Sequence, residues 1–129
     1  QLTELIGKDR ETLVVVDDYE VLGNDHALTA PLEAHVKGCR DSAGGVLVAC
    51  NIDEAQGLYR GFMTTVRKNR TGLLLAPRAP DDGNIFSTRL PRSVGAPAPL
   101  GRAIMITTQG WAWVQVPHAA DPRTGPADL

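Results

Sequence analysis

Two consecutive carboxylates, Asp17 and Asp18, directly follow an apolar run and are the residues best placed to do chemistry. The run from Thr12 to Val16 is rich in valine, which predicts a short strand buried on both faces, as in a parallel sheet. Ligands of open α/β sheets bind at the carboxyl ends of the strands. There the first acid could hold Mg²⁺, directly or through water, and the second could polarise an attacking water. An ordinary buried strand that ends in a polar turn is the alternative.

This order of residues is the layout of a Walker B element, and other polar residues could complete such a site. Asn51 follows the next apolar run and could report on a γ-phosphate, although a helix cap explains it equally well. Arg67 and Arg70 could act as arginine fingers across a subunit boundary, or be solvated cations at a helix end. The predicted site therefore has Asp17 and Asp18 as cofactor-binding residues, with Asp17 on the magnesium side. Its predicted catalytic residues are Asp18, Asn51 and Arg70.

A phosphate-binding loop of the form GxxxxGK[ST] does not occur in the 129 residues. Its backbone N–H groups and lysine would cradle the phosphates. We therefore expect the cradle to lie upstream of Gln1, and we expect this chain alone to bind ATP poorly. Asp18 is one methylene shorter than glutamate, and a misplacement of about 1 Å can cost on the order of a hundredfold in rate. Slow or absent hydrolysis is the expectation.

Composition excludes several other kinds of protein. With 129 residues, of which 43% are hydrophobic, the chain fits a single domain. A net charge of -2 gives no basic footprint for nucleic acid, and the apolar runs are too short to cross a bilayer, so we expect a soluble polypeptide. Two isolated cysteines and three scattered histidines show no metal-ligand spacing. A receiver domain would need a phosphorylatable aspartate at the end of a later strand, and the sequence offers none.

The elements that must position these groups alternate between strand and helix, which predicts a parallel βαβ unit. The predicted elements are a strand over Thr12 to Val16, a helix over Ala27 to Lys37, a strand over Val46 to Cys50, a helix that ends at Arg67 to Arg70, and a strand over Thr71 to Ala76. A long loop from Pro77 to Pro99, with one helical turn near Asn84 to Phe86, leads to a hairpin of Gly101 to Thr107 and Ala112 to Val116. Residues 1–117 form the predicted domain, and 118–129 a flexible tail.

Four stretches carry a resemblance to a known family: LVVVDDYEVL at Leu13 to Leu22, APLEAHVKGCRDSAGGVLVAC at Ala30 to Cys50, TGLLLAPRAPDDGNIF at Thr71 to Phe86, and LGRAIMITTQGWAWVQVP at Leu100 to Pro117. Together they resemble the C-terminal half of an FtsK/SpoIIIE-type ATPase module. Within that group the chain is most similar to the last module of the EccC/EssC translocases of type VII secretion. The last two stretches are the more specific, because the Walker B element is generic.

The resemblance implies a fold, ligands and partners. It implies an α/β, RecA-like half of a P-loop NTPase, with a mostly parallel sheet flanked by helices, a C-terminal β-hairpin and the P-loop part missing. ATP and Mg²⁺ would be ligands of the intact module, with Asp17 and Asp18 at the matching acidic positions. The module would belong to a hexameric, membrane-anchored bacterial motor and lie on the cytoplasmic side without entering the membrane itself.

Departures from the family pattern favour recognition over catalysis. Asn51 stands where the DNA motors of this family carry a Thr-Gln sensor. Terminal modules of EccC-like proteins are often degenerate, and some bind the export signal of a small secreted helical-hairpin protein of the Trp-x-Gly family. We therefore expect a recognition or regulatory module. Half of a DNA-translocating FtsK-like ATPase is the alternative, and a structural domain without nucleotide is a third possibility.

Overall fold

The chain forms a parallel strand pair, an antiparallel three-stranded sheet and several short helices in a computed structural model that describes residues 4–6, 11–23, 25–117 and 119. The strands are β1 (Leu13–Val16), β2 (Gly45–Val48), β3 (Gly72–Leu75), β4 (Arg102–Thr107) and β5 (Gly110–Gln115). The helices are α1 (Tyr19–Leu22), α2 (Thr29–Gly38), α3 (Ile52–Gly57) and α4 (Phe62–Arg67), with 3₁₀ helices at Cys39–Asp41 and Pro80–Phe86. Within the described ranges, no helix has both the length and the apolar character that a membrane span requires.

The predicted βαβ unit is confirmed by β1, α2 and β2. The two strands are parallel, with Val14 opposite Val46 and Val16 opposite Val48. The α2 helix crosses between them, and its buried His35 places Nε2 at 3.2 Å from the carbonyl oxygen of Thr12 and 3.3 Å from that of Gly45. Because carbonyl oxygens only accept hydrogen bonds, this nitrogen must carry the proton. His35 therefore fastens the crossover helix to the starts of both strands.

The prediction of a mostly parallel sheet is wrong. β3 does not join the parallel pair but lies antiparallel to β4, and β4 is antiparallel to β5. Parallel neighbours need a crossover, usually an α-helix, to return the chain to the same end of the sheet. The segment between β3 and β4 contains only a 3₁₀ helix and irregular loop. An apolar run such as Leu73 to Leu75 indicates a strand, but it does not show the strand's direction, and here only Leu74 of the three is buried.

The helix predicted to follow Asn51 and to end near Arg70 is instead two short helices. α3 ends at Gly57 and α4 begins at Phe62. Gly61 has φ 84°, a positive value that residues other than glycine rarely adopt. Leu58, Phe62 and Val66 all belong to the core, although the helical backbone is interrupted between Leu58 and Phe62.

The core lies between the two sheets and the helices. Its largest fully buried side chains are Tyr19, Phe62, Ile104 and Ile106. The rings of Tyr19 and Phe62 are 5.4 Å apart and tilted by 45°, so α1 and α4 meet in the core directly behind the Asp17–Asp18 pair. Only one face of the parallel strand pair packs on this core, through Val14, Val16, Val46 and Val48.

The C-terminal hairpin is confirmed, with Ile104 opposite Trp113 and Ile106 opposite Trp111. The two indoles meet edge to face, 6.5 Å apart. Near the other end of the chain, residues 4–6 are helical and Ile6 is buried in the core. The predicted flexible tail lies outside the described residues, apart from Ala119.

Candidate functional site

Asp17 and Asp18 lie at the carboxyl end of β1, and both side chains are exposed. The backbone of Asp18 is left-handed, with φ 48° and ψ 54°, a conformation that aspartate tolerates better than most residues. This residue turns the chain out of the strand and into α1. The N–H of Asp18 donates to Oδ1 of Asp17 over 3.0 Å, so one carboxylate oxygen of Asp17 is held by the turn while Oδ2 stays open to solvent.

Backbone hydrogen bonds continue beyond the two strands and hold the turn in place. The N–H of Ala49 donates to the carbonyl of Val16 over 2.8 Å, and the N–H of Tyr19 donates back to the carbonyl of Ala49 over 3.1 Å. The acidic turn and the end of β2 are therefore connected directly. The predicted edge, where the carboxyl ends of parallel strands meet, is present in the structure.

Glu20 belongs to this edge and was not among the predicted site residues. Its Oε2 accepts a hydrogen bond of 3.3 Å from the backbone N–H of Asn51. The sequence signal was available, because Glu20 is the third acid of the DDYE stretch and the first-turn acid of α1. With it, Asp17, Asp18 and Asn51 are brought to one edge of the parallel strands.

Asn51 performs the structural role that the sequence left open. Its side-chain oxygen accepts a hydrogen bond of 3.0 Å from the N–H of Asp53 and caps α3. Its backbone N–H contacts Glu20. The amide group is exposed at the end of β2, so its side-chain NH₂ group still faces solvent at the same edge as the aspartates.

The two arginines are engaged elsewhere. The guanidinium of Arg67 donates to the carbonyl of Ile85 over 2.9 Å and to those of Ala55 and Leu58 over 3.1 Å each. Arg70 is exposed and donates to the carbonyls of Phe86 and Ser87 over 3.3 Å and 3.4 Å. Both side chains therefore tie the 3₁₀ helix Pro80–Phe86 to the helices and the turn that precede β3.

The environment of Cys50, next to Asn51, shows the negative character of this edge. Burial raises the pKa of the Cys50 thiol above its ordinary value, and the Glu20 carboxylate raises it further. The Arg67 guanidinium acts in the opposite direction and lowers it. Burial likewise raises the pKa of the Tyr19 hydroxyl, with further contributions from Cys50 and Glu33. Of these causes, the Glu20 carboxylate is the one that belongs to the acidic edge, where its charge adds to the formal negative charges of Asp17 and Asp18.

Asp17 is the residue at this edge that could contribute a carboxylate to a magnesium site. In the part of the chain that is described, no three His, Cys, Asp or Glu side chains converge as a metal cage. Mg²⁺ does not need such a cage, because it keeps several waters and binds one or two carboxylates together with substrate phosphates. The exposed carboxylate of Asp17 fits that role, directly or through water.

Comparison with models of protein families, with curated proteins and with solved structures gave no match to this chain. The geometry of the acidic edge and the residues of the four stretches quoted above are therefore the grounds on which a function can be proposed.

Proposed function

We propose that this chain is the C-terminal part of an FtsK/SpoIIIE-type ATP-binding module, of the kind that ends the EccC-like translocases of type VII secretion. Its task is recognition or regulation within a larger motor. Catalysis by this chain alone is not part of the proposal. The proposed fold is the second half of a RecA-like NTPase. A different stretch of polypeptide supplies the phosphate-binding half.

One observation carries the proposal. Asp17 and Asp18 follow β1 at the end where it is hydrogen-bonded to a parallel neighbour, and Asn51 follows that neighbour at the same end. Parallel strands with polar groups at their carboxyl ends form the usual ligand edge of an α/β sheet. The left-handed backbone of Asp18 supports this interpretation, because uncommon backbone conformations in non-glycine residues cluster at functional sites.

The residues have distinct roles in the proposed module. Asp17 would hold Mg²⁺ through water or directly, and Asp18 would polarise an attacking water. A bound magnesium ion would supply charge neutralisation for the nucleotide phosphates. Glu20 positions the Asn51 backbone through its hydrogen bond, which keeps this residue at the edge where the parallel strands end.

The face of the parallel strand pair that points away from the core is apolar and exposed, which supports the proposal that another part of the module packs on it. Leu13 and Val15 are each 62% exposed and Leu47 is 59% exposed, and the register places Val15 opposite Leu47. Parallel sheets are almost always covered on both faces, and an exposed apolar patch of this kind marks an interaction surface. We propose that the phosphate-binding half of the same module packs on this face.

The engagement of the arginines favours a weak or degenerate motor. An arginine finger must be free to reach the phosphates of a neighbouring subunit, yet Arg67 and Arg70 both donate to backbone carbonyls within this chain. The cap made by Asn51 likewise occupies its side-chain oxygen. Recognition of a small secreted Trp-x-Gly hairpin protein, within a hexameric membrane-anchored assembly, is the task we propose.

Titration with a fluorescent ATP analogue tests the proposal. A protein extended through an upstream phosphate loop should bind the analogue with Mg²⁺, whereas these 129 residues should not. Asp17→Asn in the extended protein should weaken magnesium-dependent binding, and Asp41→Asn, an exposed acid of the first 3₁₀ helix, serves as the matched control. Equal affinity of the short and extended proteins would sink the proposal.

A hydrolysis assay separates the two motor types. The recognition role predicts slow turnover that DNA does not stimulate, in keeping with a net charge of -2. DNA-stimulated hydrolysis by the extended protein would instead assign the chain to a DNA-translocating motor.

A further inference from the structure

An open surface depression of about 290 Å³, called the cavity below, lies between the loop that precedes β4 and the face of the C-terminal hairpin. Its lining includes Ser93, Pro97, Pro99, Arg102 and Trp113. None of these residues belongs to the acidic edge, and the proposed nucleotide site does not use them. The cavity therefore needs its own explanation.

The walls of the cavity are fixed by hydrogen bonds to the hairpin. The N–H of Arg102 donates to the carbonyl of Pro99 over 3.0 Å, and the N–H of Val116 donates to that of Gly101 over 2.8 Å. The side chain of Gln115 donates to the carbonyl of Leu100 over 2.6 Å. Prolines add stiffness, because the ring fixes φ. A pocket with prearranged walls loses little entropy when a ligand binds.

The upstream part of the same loop is anchored as well. Val94 is 6% exposed, and its N–H donates to the carbonyl of Pro91 over 3.1 Å. Gly95 has φ 92°, and a Cβ placed there would collide with the carbonyl oxygen of Arg78. The backbone therefore approaches Arg78 as closely as glycine allows, and the cavity wall cannot simply fold away.

The cavity combines one cation with a flat apolar wall. Across the described residues, the guanidinium of Arg102 has no ion-pair or hydrogen-bond partner. Trp113 is 39% exposed, and its ring is held edge to face by Trp111. Neither aspartate nor glutamate lines the cavity. A guanidinium that is free of acidic neighbours is well suited to bind a carboxylate through two parallel hydrogen bonds.

We propose that this cavity is a binding site for a carboxylate attached to a compact aromatic or branched apolar group. The carboxylate binds Arg102, and the apolar group packs between the ring of Trp113 and the two prolines. A volume of about 290 Å³ lies at the small end of ligand sites, so the ligand is about the size of one amino acid. The C-terminal residue of a peptide and a free acid of that size share this chemistry.

Fluorescence titration of the Trp111→Phe protein tests the site. The chain has two tryptophans, so the tryptophan emission of this variant comes from Trp113. N-acetylphenylalanine should change the emission saturably, with a dissociation constant on the order of a millimolar for so small a ligand. N-acetylphenylalanine amide, which lacks the charge, should bind about tenfold to a hundredfold more weakly. Similar binding of acid and amide would overturn the proposal, as would no saturable change at about ten times that concentration.

Variants of Arg102 test whether its guanidinium binds the carboxylate. Arg102→Gln should weaken binding of the acid by about tenfold to a hundredfold while leaving the amide unaffected. Arg102→Lys should restore part of the difference. Arg92→Gln removes an exposed cation outside the cavity lining and should change nothing. Equal losses for acid and amide in Arg102→Gln would show a structural role and would overturn the assignment.

One further ligand, a short peptide, distinguishes between the two sources of the carboxylate. A tripeptide that ends in phenylalanine with a free carboxylate should bind more tightly than N-acetylphenylalanine if the natural ligand is a peptide end. Equal affinities would identify a free acid as sufficient. Failure of both to bind would overturn the proposal, which does not depend on whether the acidic edge binds nucleotide.

Discussion

The backbone N–H of Asn51 donates to Oε2 of Glu20 over 3.3 Å, and this bond joins α1 to the residue that follows β2. It places a carboxylate beside Cys50, whose thiol pKa is raised first by burial and then by Glu20. The ends of two parallel strands are therefore coupled both by a hydrogen bond and by charge. That coupling makes Cys50 a reporter of the acidic edge.

We expect Glu20→Gln to lower the pKa of the Cys50 thiol. The substitution keeps a hydrogen-bond acceptor for Asn51 but removes the negative charge that disfavours the thiolate. The rate of alkylation by iodoacetamide, measured against pH in a Cys39→Ser background, should therefore rise at lower pH than in the parent. Glu54→Gln, which removes an exposed acid of α3 that is not among the causes of the shift, should leave the profile in place. A profile that moves to higher pH would contradict this account of the edge.

We expect Arg67→Met to destabilise the fold strongly. Three backbone carbonyls accept from this guanidinium, and hydrogen bonds to a charged group contribute about 1.5–3 kcal/mol each, although such contributions are not additive. A loss of roughly 2–4 kcal/mol in the free energy of unfolding is reasonable for a partly buried network. Urea denaturation measures it.

Arg60→Met provides the comparison for Arg67. This neighbouring arginine is exposed, and no hydrogen bond or ion pair joins it to the described residues. Its substitution should change the free energy of unfolding by less than about 0.5 kcal/mol. If Arg67→Met were equally harmless, Arg67 would have to be explained as a functional cation, as in the arginine-finger interpretation of the sequence.

The sequence predicted the acidic edge better than it predicted the second sheet. A valine run that ends in two aspartates contains both the strand and the polar turn, so Asp17 and Asp18 could be placed from local pattern alone. The direction of β3 could not, because Leu73 to Leu75 would look the same in either orientation. What decides the direction is pairing with β4, more than 25 residues further along the chain.

Local pattern also failed to predict the long-range contacts of two arginines. The basic residues Arg67 and Arg70 fit a helix C-terminus on dipole grounds. Their partners, however, are carbonyls at the end of α3, in the 3₁₀ helix Pro80–Phe86 and in the residue that follows it. Nothing in the spacing of these residues indicates that contact. Similarly, the cavity beside Trp113 arises from the approach of the 93–99 loop to the hairpin, which no sequence period encodes.

We expect Gly95→Ala to cost about 1–3 kcal/mol of folding free energy. Its φ of 92° disfavours any side chain, and an added Cβ would meet the carbonyl oxygen of Arg78. Gly38→Ala is the matched control, because this glycine lies at the end of α2 with negative φ and open space around it. Alanine there should be neutral or stabilising by up to about 1 kcal/mol. Thermal denaturation of both variants measures the difference, and equal melting temperatures would refute the close approach.

Val14 and Val15 are adjacent in β1 but face opposite sides of the strand pair, which makes them a matched test of the uncovered face. Val15 is 62% exposed, whereas Val14 is partly buried against the core. Val15→Thr should therefore alter the free energy of unfolding by less than about 0.5 kcal/mol, while Val14→Thr should cost about 1–2 kcal/mol, because a hydroxyl is then buried. Binding of the dye anilinonaphthalene sulfonate should fall in Val15→Thr, since the exposed apolar face that attracts it becomes more polar. If instead Val15→Thr unfolded the protein and Val14→Thr did not, the face that packs on the core would be the other one, and no missing partner would be needed to cover Leu13 and Leu47.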